Sequence, residues 1–213
     1  MRIIACIALF CIVSFTAFSQ KKGDKFANTM TERMVSELKL DSTQAKKVRV
    51  ANENYVNGLA ELYKNKGDRK EKMQQSKQVK EDHEAALQSI LTKEQYKTYE
   101  AMRKEQQEKL SQAAAEKISE NLTATMQDTL KLSNDVATKA YDINVRSLKT
   151  VLMSMMDDEQ RGMEKLRSLK EATEKRNEEM KKIFTKEQYQ QYMKMNEENK
   201  EKMKEKWKQR RNG

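Results

Sequence analysis

The chain has 213 residues, of which 36% are charged, with 43 Lys and Arg against 33 Asp and Glu and a formal net charge of +10. It contains no proline, five glycines, two cysteines and one histidine. That composition supplies neither a glycine-rich phosphate loop nor the two histidines of a hydrolytic metal motif, so no enzymatic activity and no cofactor are expected. The mean hydropathy of −1.01 would suit a disordered chain. The apolar residues nevertheless recur at helical spacing, and no segment alternates polar and apolar side chains for the length of a strand. The expected class is all-α.

Residues 1–19 read as a secretory signal peptide. Arg2 precedes an apolar stretch from Ile3 to Phe18, and Ala17-Phe18-Ser19 has the small-x-small pattern of a cleavable bond before Gln20. The stretch is short for a span of about 20 residues. Cys6 and Cys11 both leave with it, so the remainder has no thiol nucleophile and no thiolate metal site, and it enters an oxidising compartment without disulfide risk. A periplasmic location is expected. For an exported basic chain the expected partners are acidic polypeptides, an anionic membrane surface or polysaccharide, with no nucleic acid.

The rest is an internal duplication. Leu-Lys-Leu occurs at Leu38–Leu40 and Leu130–Leu132, and Thr-Lys-Glu-Gln-Tyr at Thr92–Tyr96 and Thr185–Tyr189. In the first copy Phe26, Met30, Met34 and Leu38 form a helical stripe. Asp41 and Gln44 are placed as a capping box that starts a second helix, which carries Ala45, Val48, Asn52, Tyr55, Leu59 and Leu62. Gly67-Asp68 marks a turn, and a third helix follows with Met73, Val79, Ala86, Leu87 and Ile90. Thr92 then caps another helix, with Gln95 reaching back and Leu91 and Tyr96 placed as a hydrophobic staple.

The second copy repeats this order. Ala137, Ala140, Asn144, Leu148, Val151 and Met155 line one helix, and Met163, Leu166, Leu169, Thr173, Met180 and Ile183 the next. Phe184, Thr185, Gln188 and Tyr189 form the last restart. Asn52 pairs with Asn144 at an offset of 92, and Met73 with Leu166 at 93, so one residue is inserted between these points, most economically in the turn. Residues 97–131 lack Gly and Pro, which predicts one long helix, with Ala114, Ile118, Leu122, Met126 and Leu130 inward. The expected organisation is two tandem helical-hairpin units, 20–112 and 113–213, joined by that helix, as a cradle or an elongated bundle. Lys200–Arg211 is expected to be a charged, solvated end.

Leu-x-Leu with a capped restart, a hairpin, and then Leu91-Thr92-Lys93-Glu94-Gln95 resembles the LTxxQ-motif (Spy/CpxP-like) proteins of the bacterial envelope. Phe184-Thr185-Lys186-Glu187-Gln188 departs from the motif only by Phe for Leu, whereas Ser133-Asn134-Asp135-Val136 has lost the Gln. The resemblance spans most of 26–110 and 118–205. It implies a helical cradle, usually a homodimer, and ATP-independent chaperone activity on unfolded envelope proteins; the length and duplication of the chain add an intramolecular pseudo-dimer as an alternative. Alternatives are an envelope stress or metal sensor, and a non-catalytic coiled-coil structural protein.

Among individual residues, Leu152, Met153, Met155 and Met156 form a run too apolar for one stripe to bury. They are candidate client contacts or additional core or dimer packing. His83 has Arg176 as its duplicate and reads as a basic surface or rim position rather than a metal ligand. Asn52 and Asn144 either fix helix register or lie at a stripe edge. Asp157-Asp158-Glu159 reads as an acidic helix start.

Overall fold

The repeated Leu-Lys-Leu phrase is a helix stop. Lys39 has φ 50° and its duplicate Lys131 φ 53°, the left-handed conformation that ends a helix. The Leu40 amide donates to Val35 O at 3.2 Å and the Leu132 amide to Gln127 O at 3.1 Å. This is the long bond of a Schellman motif, and it satisfies a carbonyl the helix leaves open. The leucines fold back onto apolar cores, which offsets the cost of about 1 kcal/mol for a side chain in that conformation.

The protein is described here by a computed structural model covering residues 20–64, 68–157, 160 and 162–212. The signal peptide expected at 1–19 lies outside these residues, as do Gly67, Asp158 and Glu159. Among the described residues seven helices follow in order: α1 (Gln20–Leu38), α2 (Ser42–Lys64), α3 (Arg69–Ile90), α4 (Lys93–Leu130), α5 (Asn134–Met156), α6 (Gly162–Ile183) and α7 (Lys186–Asn212). No strand occurs among the described residues. The long helix predicted over 97–131 is α4. The chain divides into two compact units between Arg103 and Lys104. That division and the boundary at 112 read from the sequence both fall within α4.

In the unit ending at Arg103, α2 packs against both α1 and α3. Its core joins Met34, Leu38, Val48, Ala51, Leu87, Leu91 and Tyr99. Leu87 and Val48 have no exposed surface, and burying each such side chain contributes about 1.5–3 kcal/mol. Gly58 lets α3 approach, because a Cβ there would lie 3.0 Å from Val79 Cγ1.

In the unit from Lys104 onward, α5 packs against α6, and one core joins Met126, Leu130, Ala140, Ile143, Met180, Phe184 and Tyr192, together with Leu132 and Ala137. Those first seven residues are the duplicates of the seven core residues above, taken in order. Val48 and Ala51 become Ala140 and Ile143, a paired exchange that roughly conserves volume. A second cluster joins Ala115 to Val145, Leu148 and Leu152. α2 ends at Lys64 and α5 at Met156, whereas α3 starts at Arg69 and α6 at Gly162. The inserted residue therefore lies in the connection, where neither hairpin register is disturbed.

Three predicted stripes are displaced. In α1, Phe26 is exposed, while Ala27, Thr31, Met34 and Leu38 face inward. In the α4 segment after 104, Ala114, Ile118 and Leu122 are half-buried, and the buried line runs through Ser111, Ala115, Ser119 and Thr123. Small residues there allow close approach of α5. In α6 the predicted stripe is buried only at its C-terminal end, at Met180, with Met163, Leu166 and Leu169 exposed. The charged end is helical to Asn212, and its pairs Lys200–Glu197 at 3.3 Å and Lys204–Glu201 at 2.6 Å are exposed.

Candidate functional site

All the predicted restarts are formed. Thr43 N and Gln44 N donate to Asp41 Oδ1 at 2.7 and 2.8 Å, and Asp41 N returns to Gln44 Oε1 at 3.3 Å. Gln95 N donates to Thr92 Oγ1 at 3.2 Å and Thr92 N to Gln95 Oε1 at 3.0 Å; Thr185 and Gln188 repeat both bonds. Leu91, Tyr96, Phe184 and Tyr189 close the adjoining cores.

The glutamines do more than cap. Gln44 Nε2 donates to Ile90 O, at the end of α3, and Gln95 Nε2 donates to Leu38 O, at the end of α1. The two amides also pair with each other, at 2.8 and 3.2 Å. Each glutamine thus starts one helix and closes another, locking the α1–α2 turn to the α3–α4 turn. In the second copy Gln188 Nε2 still reaches Leu130 O, at 3.4 Å. The Gln44 position is Val136, so the reciprocal amide pair is absent there.

His83 is the main correction to the sequence reading. It is 7% exposed, because α3 turns this position toward α2. Its ring stacks on Tyr55 with centroids 4.5 Å apart, and Nε2 lies 2.9 Å from Asn52 Oδ1. The Asn52 oxygen can only accept, so Nε2 carries the proton. Asn52 Nδ2 donates to Thr31 Oγ1 at 3.0 Å and to Met34 Sδ at 3.7 Å, and the Thr31 hydroxyl donates to Ala27 O. Asn52 is fully buried and holds α1, α2 and α3 in one register. Asn144 is equivalent only in part. Its Nδ2 donates to Thr123 Oγ1 and Met126 Sδ, but its Oδ1 has no partner. The His83 position is Arg176, whose Cζ lies 5.9 Å from the Tyr192 ring centroid.

Burial holds the His83 pKa below its ordinary value, with Glu84 opposing and Arg103 reinforcing the shift. The folded protein therefore favours the neutral ring. The corresponding stability is fully present above the unfolded histidine pKa of about 6.5 and is lost as pH falls through that value toward the folded one. Hydrogen-exchange protection of residues 20–103, taken relative to the intrinsic rate at each pH, should fall between about pH 7 and 5, and His83→Gln should flatten that dependence. A profile identical in both proteins would contradict the assignment.

Large apolar side chains are exposed singly at Phe26, Val50 and Leu110, and four more fall on the α5–α6 hairpin near its turn. Leu152, one of the four candidate contacts, is 7% exposed against Ala115 and Leu148 and belongs to the core. Met153 and Met156 are half-buried, and Met155 is 48% exposed. Across the turn, Met163 is 78%, Leu166 61% and Leu169 39% exposed. Polar contacts hold the tip in shape. Lys165 Nζ donates to Met155 O at 3.0 Å, Gln107 Nε2 to Met156 O at 3.4 Å, and the Ser154 hydroxyl to Gln160 Oε1 at 2.6 Å. The apolar side chains thus stand on a braced backbone, bordered by Lys165, Arg167 and Lys170.

Met163, Leu166 and Leu169 read as core from periodicity alone. Their duplicates are Lys70, Met73 and Ser76, and two polar residues among three cannot mark a core position common to both copies. That comparison is the signal by which this part of the surface could have been found. Among the described residues no group of three or more His, Cys, Asp or Glu side chains is arranged to hold a metal ion, and no helix is long and apolar enough to cross a membrane.

Residues 17–99 match the model of a family described as a domain of unknown function (DUF4890). That stretch covers the first copy and stops before the second. No curated protein and no solved structure matches the chain.

Proposed function

We propose that the protein is a non-catalytic, ATP-independent holdase of the bacterial envelope, which captures unfolded or partly folded proteins on the tip of its α5–α6 hairpin. The observation that carries this reading is the cluster of large apolar side chains left bare there, Met155, Met163, Leu166 and Leu169. Contiguous exposed apolar surface marks an interaction site, and flexible, polarizable methionines suit one that accepts varied partners. Flanking lysines and the net positive charge would speed encounter with acidic chains. Export rests on the leader-like residues 1–19, and the chaperone class on the resemblance of the capped restarts to LTxxQ-motif proteins.

The purified protein should suppress aggregation of dithiothreitol-reduced α-lactalbumin without ATP. The reductant leaves residues 20–213 unaffected, since they hold no cysteine. Suppression should weaken as salt rises, in proportion to its charge-steered part. Light scattering unchanged by a molar excess of the protein at low salt would remove the proposal.

A further inference from the structure

The apolar tip is also the place where this chain is most open to oxidation. Outside residues 1–19 there is no cysteine, which leaves the methionine thioethers as the side chains most readily oxidised by two electrons. The methionines range from enclosed to exposed, with Met153 and Met156 half-buried between the extremes. Met34, Met126 and Met180 are at most 4% exposed, and the sulfurs of Met34 and Met126 each accept a hydrogen bond from a buried asparagine amide. Met155 and Met163 are exposed on either side of the α5–α6 turn.

We infer that Met155 and Met163 are oxidation sites through which a peroxide-class oxidant weakens the binding surface of the α5–α6 tip while the fold is retained. This rests on the function proposed above. With hydrogen peroxide, a sulfur lone pair attacks one peroxide oxygen. The S–O bond forms as the O–O bond breaks, and the second oxygen leaves as water with both protons. The thioether is oxidised by two electrons to the sulfoxide and the peroxide is reduced. The product places a strong hydrogen-bond acceptor where an apolar contact is needed, and burying it against a partner costs free energy that the thioether does not. The cores stay intact because their sulfurs are enclosed. Met73 and Met203 are also exposed, but neither lies on this hairpin, so they report oxidation without loss of binding.

The test treats the full protein with graded hydrogen peroxide, maps sulfoxides by peptide mass, and measures capture of reduced α-lactalbumin at each dose. Met155 and Met163 should oxidise at least tenfold faster than Met34, Met126 and Met180, with helical circular dichroism unchanged and capture reduced at least fivefold. In the Met155→Leu/Met163→Leu variant, capture after peroxide should equal that variant's own capture before it, whereas Met73→Leu should lose as large a fraction as the parent. Equal oxidation rates at Met34 and Met163 would overturn the site assignment. A double-leucine variant still inhibited by peroxide would overturn the link to binding. If the untreated protein captures no client, the function proposed above fails, and the order of oxidation still decides which methionines are the sites.

Discussion

Asn52→Leu should destabilise residues 20–103 by about 3 kcal/mol, because it strands the buried His83 N–H and removes two further bonds that tie α1 to α2. The same change at Asn144 should cost less than about 1 kcal/mol, since it also removes an amide oxygen that is buried without a partner. The two sites have the same side chain, the same helix position and the same threonine and methionine neighbours. They differ in whether the third helix supplies His83 or Arg176. Hydrogen exchange resolved along the chain separates the two units and measures each cost. Equal losses would show that the histidine contact contributes nothing.

The second large effect concerns the glutamine lock. Gln95→Ala opens the Thr92 cap, leaves Leu38 O without its donor and breaks the pairing with Gln44. These losses together should cost about 2–3 kcal/mol. Gln188→Ala removes a cap and one longer bond to Leu130 O, for about 1 kcal/mol. A double-mutant cycle over Gln44 and Gln95 should give a coupling energy of about 1 kcal/mol. Zero coupling would mean that the two turns are fixed by their leucines and not by the amides.

The local devices were legible because each is written in a few adjacent residues. Asp41 with Gln44, Thr92 with Gln95, and Thr185 with Gln188 announce helix starts by spacing alone. Duplication then fixed the hairpin register, and it placed the inserted residue in the turn. The Schellman stops at Lys39 and Lys131 were hidden, since lysine rather than glycine occupies the left-handed position. His83 was misplaced for a different reason. Its duplicate is a charged arginine, and comparing copies assumed one environment for both. Arg176 lays its guanidinium toward the Tyr192 ring, whereas the shorter His83 bonds Asn52, so the two side chains occupy one helix position in unlike ways. The α5 side of the exposed tip was read from the dense run around Met155, but its α6 side was missed by the converse error, when periodicity was trusted at Met163, Leu166 and Leu169 where the copies disagree.

The proposed client-binding surface is the α5–α6 tip, and its counterpart in the first copy is expected to be inactive. Leu166 and Met73 are duplicate positions, both exposed, so Leu166→Glu and Met73→Glu place the same charge on equivalent helices at little cost to folding. In the α-lactalbumin aggregation assay, Leu166→Glu should abolish suppression and Met73→Glu should leave it near that of the parent. Equal activity in the two variants, or loss only with Met73→Glu, would contradict the account.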